Sequence, residues 1–199
     1  MSETKKSFIQ KIDEMAEKKG NGVKTLWQIA KFSIASGLAT IIQLVLANLL
    51  PLIFDNVTAT VPLFLQSIFN PDILFDASTA SGAEALSKYA VGGIVTWGYV
   101  LPFFISNGVA NIYAYIQNRK TTFRSDAPTY CFVIYLVVLV ALILFSTWLQ
   151  GVIVGLLNNV SIVFIRNLAR TIASLAAGFV QWIVLFPLEK FVLLKEKKD

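Results

Sequence analysis

The chain has no histidine, one cysteine and few charges, with 12 acidic and 17 basic residues among 199. Without histidine there is no imidazole general base and no His-ligated metal site. Cys131 has no partner for an intrachain disulfide, and its apolar neighbours make it an inert, buried thiol. No G-x-x-x-x-G-K-[ST] run is present to cradle nucleotide phosphates. Residues 1–24 are charged throughout and lack the apolar segment of a cleavable signal peptide. No cofactor and no catalytic residue is implied.

Charged residues make up 15% of the chain and hydrophobic ones 56%, with a mean hydropathy of +0.67. A soluble domain carries about a quarter charged residues. Four stretches hold no Asp, Glu, Lys or Arg: 32–54, 89–118, 127–165 and 171–188. About 20 apolar residues are enough for a helix to cross a bilayer. These runs exclude a soluble enzyme, a nucleic-acid-binding domain and a disordered chain. The chain reads as an all-α polytopic membrane protein with four transmembrane helices, roughly 26–54, 88–118, 129–157 and 164–190. The formal charge of +5 then points to anionic lipid headgroups.

Of the 17 basic residues, 14 lie in residues 1–31, the 119–124 loop and the tail from Lys190; the rest are Lys88, Arg166 and Arg170. The positive-inside rule places both termini in the cytoplasm. Residues 1–24 form a separate amphipathic segment, with Phe8, Ile12 and Met15 on one face, suited to lying on the membrane surface. Gly20-Asn21-Gly22 breaks it from the four-helix domain, 25–199. The outer loop, 55–88, holds Pro62-Leu63-Phe64-Leu65 and Ile68-Phe69, too short to cross and suited to the interface or to covering the bundle. Asn158-Asn159 offers the turn between spans three and four. Trp27, Trp97, Trp148 and Trp182 include expected interface anchors.

Polar residues inside spans face a bundle interior or a hydrated cavity. Asn107, Asn111, Tyr115 and Asn118 fall within about 80° on the second span, and Pro102 upstream should loosen that helix and free a carbonyl near the membrane middle. Arg166, Arg170, Ser174 and Gln181 share a face of the fourth. Ser33, Gly37 and Thr40 give the first span a small, weakly polar face, and the third, from Tyr130 to Leu149, looks like a lipid-facing or packing helix. Helix–helix glue and a substrate groove both fit these stripes. No Asp or Glu is expected well inside a span, since Asp55 and Glu189 sit at the ends. A proton-coupled exporter needs such a carboxylate, so that class is disfavoured.

Lys31-Phe32-Ser33-Ile34-Ala35-Ser36-Gly37 resembles the "KFxxVG" opening of GtrA-like membrane proteins. Asn111-Ile112-Tyr113-Ala114-Tyr115-Ile116-Gln117-Asn118-Arg119-Lys120-Thr121-Thr122-Phe123 is similar to that family's "NFxxNRxWTF" signature, with Ile112 and Thr121 where aromatics are usual. Phe186-Pro187-Leu188-Glu189-Lys190-Phe191 stands in place of a weaker second copy. An offset of 68 residues lays Phe123 over Phe191 and hints at a two-span duplication.

The resemblance implies a flippase-type carrier in the bacterial cytoplasmic membrane. It would move a polyprenyl-phosphate-linked sugar for cell-surface polysaccharide or teichoic acid glycosylation. A membrane glycosyltransferase is the implied partner, and a homodimer is a further expectation. The alternative is a non-transporting subunit that stabilises the transferase. In the carrier reading Arg119 meets the lipid phosphate on the cytoplasmic side. Arg170, one turn inside Arg166, receives it after crossing, because a guanidinium matches two phosphate oxygens. Asn107, Asn111, Asn118 and Gln181 bond sugar hydroxyls or water along the way.

Overall fold

The computed structural model describes residues 8–158 and 160–195. The protein is all-α apart from one short hairpin. In chain order it comprises α1 (Phe8–Lys18), α2 (Asn21–Leu49) and α3 (Pro51–Phe54), then the short helices α4 (Leu63–Gln66) and α5 (Pro71–Leu74). Next come α6 (Ala80–Tyr89), β1 (Ala90–Val91), β2 (Ile94–Val95) and α7 (Trp97–Gln117), which runs into a π-helical turn, Asn118–Thr122. Then follow α8 (Thr129–Asn158), α9 (Val163–Asn167), α10 (Ala169–Pro187) and a second π-turn, Leu188–Leu193.

Three helical segments are long and apolar enough to cross a membrane: Asn21–Phe54, Thr129–Asn158 and Ala169–Leu193. Their surfaces are inverted relative to a soluble bundle. Ile34, Leu38, Ile41 and Val45 on α2, Val133, Val137 and Phe145 on α8, and Leu175 and Ile183 on α10 are all exposed. Water would penalise that area at roughly 25 cal/mol per Å², whereas lipid does not. The chain is a membrane protein. With 21 residues, α7 reaches about 31 Å at 1.5 Å per residue. Its Asn, Tyr and Gln residues lower its hydropathy relative to the other three.

The bundle is two helical hairpins, α7 packed on α2 and α10 packed on α8. At one end the chain's basic segments meet. Lys31 Nζ donates to Asp13 Oδ1 and to the Thr121 carbonyl, both at 2.9 Å, and Arg124 pairs with Asp13. Lys190 Nζ reaches Thr25 Oγ1 at 2.6 Å, and Ser125 Oγ donates to the Lys195 carbonyl at 2.7 Å. Of the 1–24 segment, the described residues 8–24 are held against the bundle, and residues 1–7 lie outside the described residues. Helix α1 docks through Asp13 and Ala16, while Phe8, Ile9 and Met15 point outward.

At the other end, residues 55–95 fold into a cap whose core of Val61, Leu65, Phe69, Phe75 and Val95 packs on Val100 of α7. The loop thus covers the bundle, and Pro62, Leu63 and Phe64 of its apolar run stay exposed while Leu65 and Phe69 are buried. Asp55 ties the cap down, accepting from Lys88 Nζ at 2.6 Å and Tyr89 Oη at 2.7 Å. Those hydrogen bonds hold its carboxyl below the ordinary value.

The structure corrects three sequence expectations. The 89–118 run is not one helix. Gly92 and Gly93, at φ +58° and +75°, close the β1–β2 hairpin, a two-residue turn that needs positive φ at both positions. Consequently α7 begins only at Trp97, and Pro102 lies in its second turn, near the cap rather than the helix middle. On α2 the packing face is Phe32, Ala35 and Ala39, while Ser33 and Gly37 are exposed. The third long helix is not merely apolar packing. It buries Tyr135, Ser146 and Thr147, because α10 and α7 flank it on the inner side.

Candidate functional site

A cavity of about 840 Å³ lies between α2, α7, α8 and α10. Its wall on α7 is Asn107, Asn111 and Asn118, the face the sequence identifies, with Ala110 and Ala114 between them. Ser174 and Gln181 come from α10 as expected. Tyr115, which shares that sequence face, turns instead into the protein and packs on Tyr135 with ring centroids 4.4 Å apart. Asn107 and Asn111 each donate Nδ2 to the carbonyl four residues back, at 2.9 Å. Their Oδ1 acceptors remain for the cavity. Tyr135 Oη donates to the Asn111 carbonyl at 2.9 Å and fixes that stretch of α7 against α8.

The cavity opens on the flank of the bundle. At the basic end α2 and α10 close together through Phe32, edge-on to Phe186 and Trp182 at 5.3 and 6.2 Å. Towards the cap they part. There Thr40 and Leu44 on α2, and Ser174, Leu175 and Phe179 on α10, line the cavity while remaining exposed. These exposed residues, polar Thr40 and Ser174 beside apolar Leu44, Leu175 and Phe179, form a mouth that leads to an apolar wall set with amide and hydroxyl side chains.

Several lining residues were not identified from sequence. Ser146, Thr147 and Gln150 on α8, and Gln43 on α2, add further polar groups. Ser146 and Gln150 stand four apart, a helical spacing that carries a weak signal inside so apolar a run. Glu189 is the larger omission. The charge-free run ends at residue 188, and helical structure continues through the second π-turn. Glu189 is 1% exposed and lines the closed end of the cavity. The carboxyl stays at the end of the fourth span, as the sequence places it, but it is buried against the cavity rather than exposed.

The arginines fall elsewhere. Among the described residues no lysine or arginine lines the cavity. Arg119 turns away, donating Nη2 to the Ala127 carbonyl at 2.6 Å and Nε to the Ser125 carbonyl at 3.3 Å. It borders a second hollow of about 680 Å³ at the basic end, with Lys120, Arg124, Asp126 and Phe132. At the capped end, Arg170 pairs with Asp76 at 2.5 Å and donates to the Ile73 carbonyl at 3.3 Å. It stands one turn above Ser174 and so above the mouth. Arg166 belongs to α9, and its side chain lies outside what the structure describes.

The two halves of the chain end alike, in register with a different offset from the one expected. Phe123 N–H bonds the Asn118 carbonyl and Leu194 N–H bonds the Glu189 carbonyl, each across five residues. Phe123 and Leu194 are both buried, whereas Phe191 is 62% exposed. Asn118 therefore corresponds to Glu189, an offset of 71 residues. Searches of known protein families, of characterised proteins and of solved structures found no match to this chain.

Proposed function

We propose that this protein is a four-span, GtrA-like carrier for a polyprenyl-phosphate-linked monosaccharide, with both termini in the cytoplasm. The observation that carries the reading is the cavity that sets Asn107, Asn111, Gln150 and Gln181 among apolar side chains and reaches exposed residues of α2 and α10. A lipid-linked sugar has two incompatible parts. Its polyprenyl tail is stable in the bilayer, and its hydroxyls are costly there unless they find partners. A side-open cavity serves both, because the tail stays in lipid while the head enters among Asn107, Asn111, Gln181 and Gln150. The phosphate stays at the rim on the capped side, where Arg170 stands one turn above Ser174, while the basic hollow around Arg119 lies at the closed end and would serve the cytoplasmic side only. With no nucleotide motif, movement is downhill or coupled to another gradient.

Leaflet exchange of a polyprenyl-phosphate sugar in liposomes tests this reading. The protein is expected to accelerate exchange, and Asn107→Ala and Gln181→Ala each to slow it about tenfold, the effect of about 1.4 kcal/mol in a lost hydrogen bond. Arg170→Lys should retain less activity than wild type because a bidentate contact is lost. If no such lipid is moved, while the protein co-purifies with and activates a membrane glycosyltransferase, it is a subunit and not a carrier.

Orientation has its own test. In a Cys131→Ser background, cysteine at exposed Ser78 should react with an impermeant maleimide only from outside the cell, and cysteine at exposed Lys120 only from inside. Outside labelling at Lys120 would overturn the four-span topology.

A further inference from the structure

We propose that Glu189, with Asn118 beside it, is a proton-exchange site at the closed end of the central cavity. Four observations lead there. The Glu189 side chain is 1% exposed, yet it borders the cavity. Its Oε2 is buried without a hydrogen-bond partner, and so is the Asn118 Nδ2, although the Asn118 side chain interacts with that carboxyl. Among the described residues no cation pairs with Glu189. Both residues are set by π-turns at matching points in the two halves of the chain, and π-turns recur at functional sites.

The surroundings leave the carboxyl two options. On α7 and α8 the titratable groups that Glu189 faces are Tyr115 and Tyr135, with Cys131 and Arg119 beyond Tyr115. Arg119 is committed to the Ser125 and Ala127 carbonyls. Lys190, next along the chain, reaches Thr25 and sits over the Phe186 and Phe191 rings. On α2, Lys31 is bound to Asp13 and to the Thr121 carbonyl. No neighbouring charge neutralises an ionised Glu189. In an apolar site such a group takes up a proton or the charge of a ligand. Neutral, it can donate a hydrogen bond into the cavity. Ionised, it accepts from Asn118 and from whatever enters. Release of the proton to the cavity thus links the occupied state of the carrier to pH. The inference concerns the acid and not the identity of the cargo.

The full-length protein in liposomes can be treated with dicyclohexylcarbodiimide, an apolar reagent that adds to protonated carboxyls reached through lipid. The flank mouth gives it a route. Mass spectrometry should place one adduct on the peptide holding Glu189, formed several-fold faster at acidic than at alkaline pH and absent from Glu189→Gln. Infrared difference spectra should show the C=O band of a carboxylic acid that grows on acidification and is missing in the same variant. Should Glu189→Gln fail to fold, Glu189→Asp keeps the acid and shifts the band. No adduct at any pH, or an adduct and band indifferent to pH, would make Glu189 an inert structural acid. Downhill exchange of a lipid-linked sugar would survive that outcome, so the carrier reading and this one fail separately.

Discussion

Replacing Asp13 with alanine is expected to release α1 and destabilise the protein by about 3 kcal/mol, the low end for breaking a buried ion pair because Arg124 is half exposed. Asp13 is 6% exposed and accepts from Trp27 Nε1 at 2.6 Å, from Lys31 Nζ at 2.9 Å and from Arg124. Removing it leaves Lys31, whose side chain is nearly buried, without its counter-charge. The loss should register as a lower Tm in detergent, faster tryptic cleavage at Lys18 and Lys19, and a red-shifted Trp27 emission. Arg124→Ala, which removes one exposed partner, should cost less than half as much. Equal losses for the two variants would mean that Asp13 is not the hub.

The same site has a pH signature. Burial pushes the Asp13 carboxyl up, but the hydrogen bonds from Lys31 and Trp27 and the charges of Lys31 and Arg124 outweigh it and hold it below its ordinary value of 3.8. The unfolded chain therefore binds this proton more readily than the folded one, and stability rises with pH across the interval between the two values. The contribution is complete above about pH 4 and is lost as pH falls through the depressed value. Asp13→Ala should remove that acid-side dependence together with α1 docking.

Gly82→Ala is the second large effect expected, about 3 kcal/mol, because the new methyl has no room to move into. A Cβ there would stand 2.0 Å from the Asp76 carbonyl oxygen and 2.5 and 2.7 Å from the carbonyl carbon and nitrogen, all backbone atoms. The turn 76–82 is wound tightly around that carbonyl. Thr79 N–H and Thr79 Oγ1 both donate to it at 2.9 Å, and Thr79 Oγ1 in turn caps α6 by accepting from Gly82 N–H at 3.0 Å. Opening the turn moves Asp76 away from Arg170 and so detaches the cap from α10. The measurement is a lower Tm with early proteolysis between residues 76 and 95. Gly37→Ala is the control, since a Cβ there meets nothing within 4 Å. In mid-helix it should be neutral or stabilising by about 0.5–1 kcal/mol.

The amino-acid sequence by itself determined the solvent of this protein and its class. Charge-free runs of 18 to 39 residues cannot be covered in water by a chain this small, so the apolar helices and a membrane environment follow from composition. Local chemistry also determined the Gly20 break, the end of α8 at Asn158 and the shared face of Asn107, Asn111 and Asn118, because helical spacing is a property of the backbone alone. Hydropathy could not tell which side of an apolar helix meets protein and which meets lipid, since both surroundings accept the same residues. Only the packing of α7 on α2 and of α10 on α8 decided that Phe32, Ala35 and Ala39 turn inward and Ser33 and Gly37 outward. The same holds for charge. A run of uncharged residues ends at Leu188 in the sequence, but the helical backbone widens into a π-turn there and carries Glu189 into the cavity instead of into the headgroups. Arg119 and Arg170, equally prominent in the sequence, are drawn aside by carbonyls and a carboxylate from the loops. Those partners lie far away along the chain or on irregular backbone, and a guanidinium goes where its donors find acceptors.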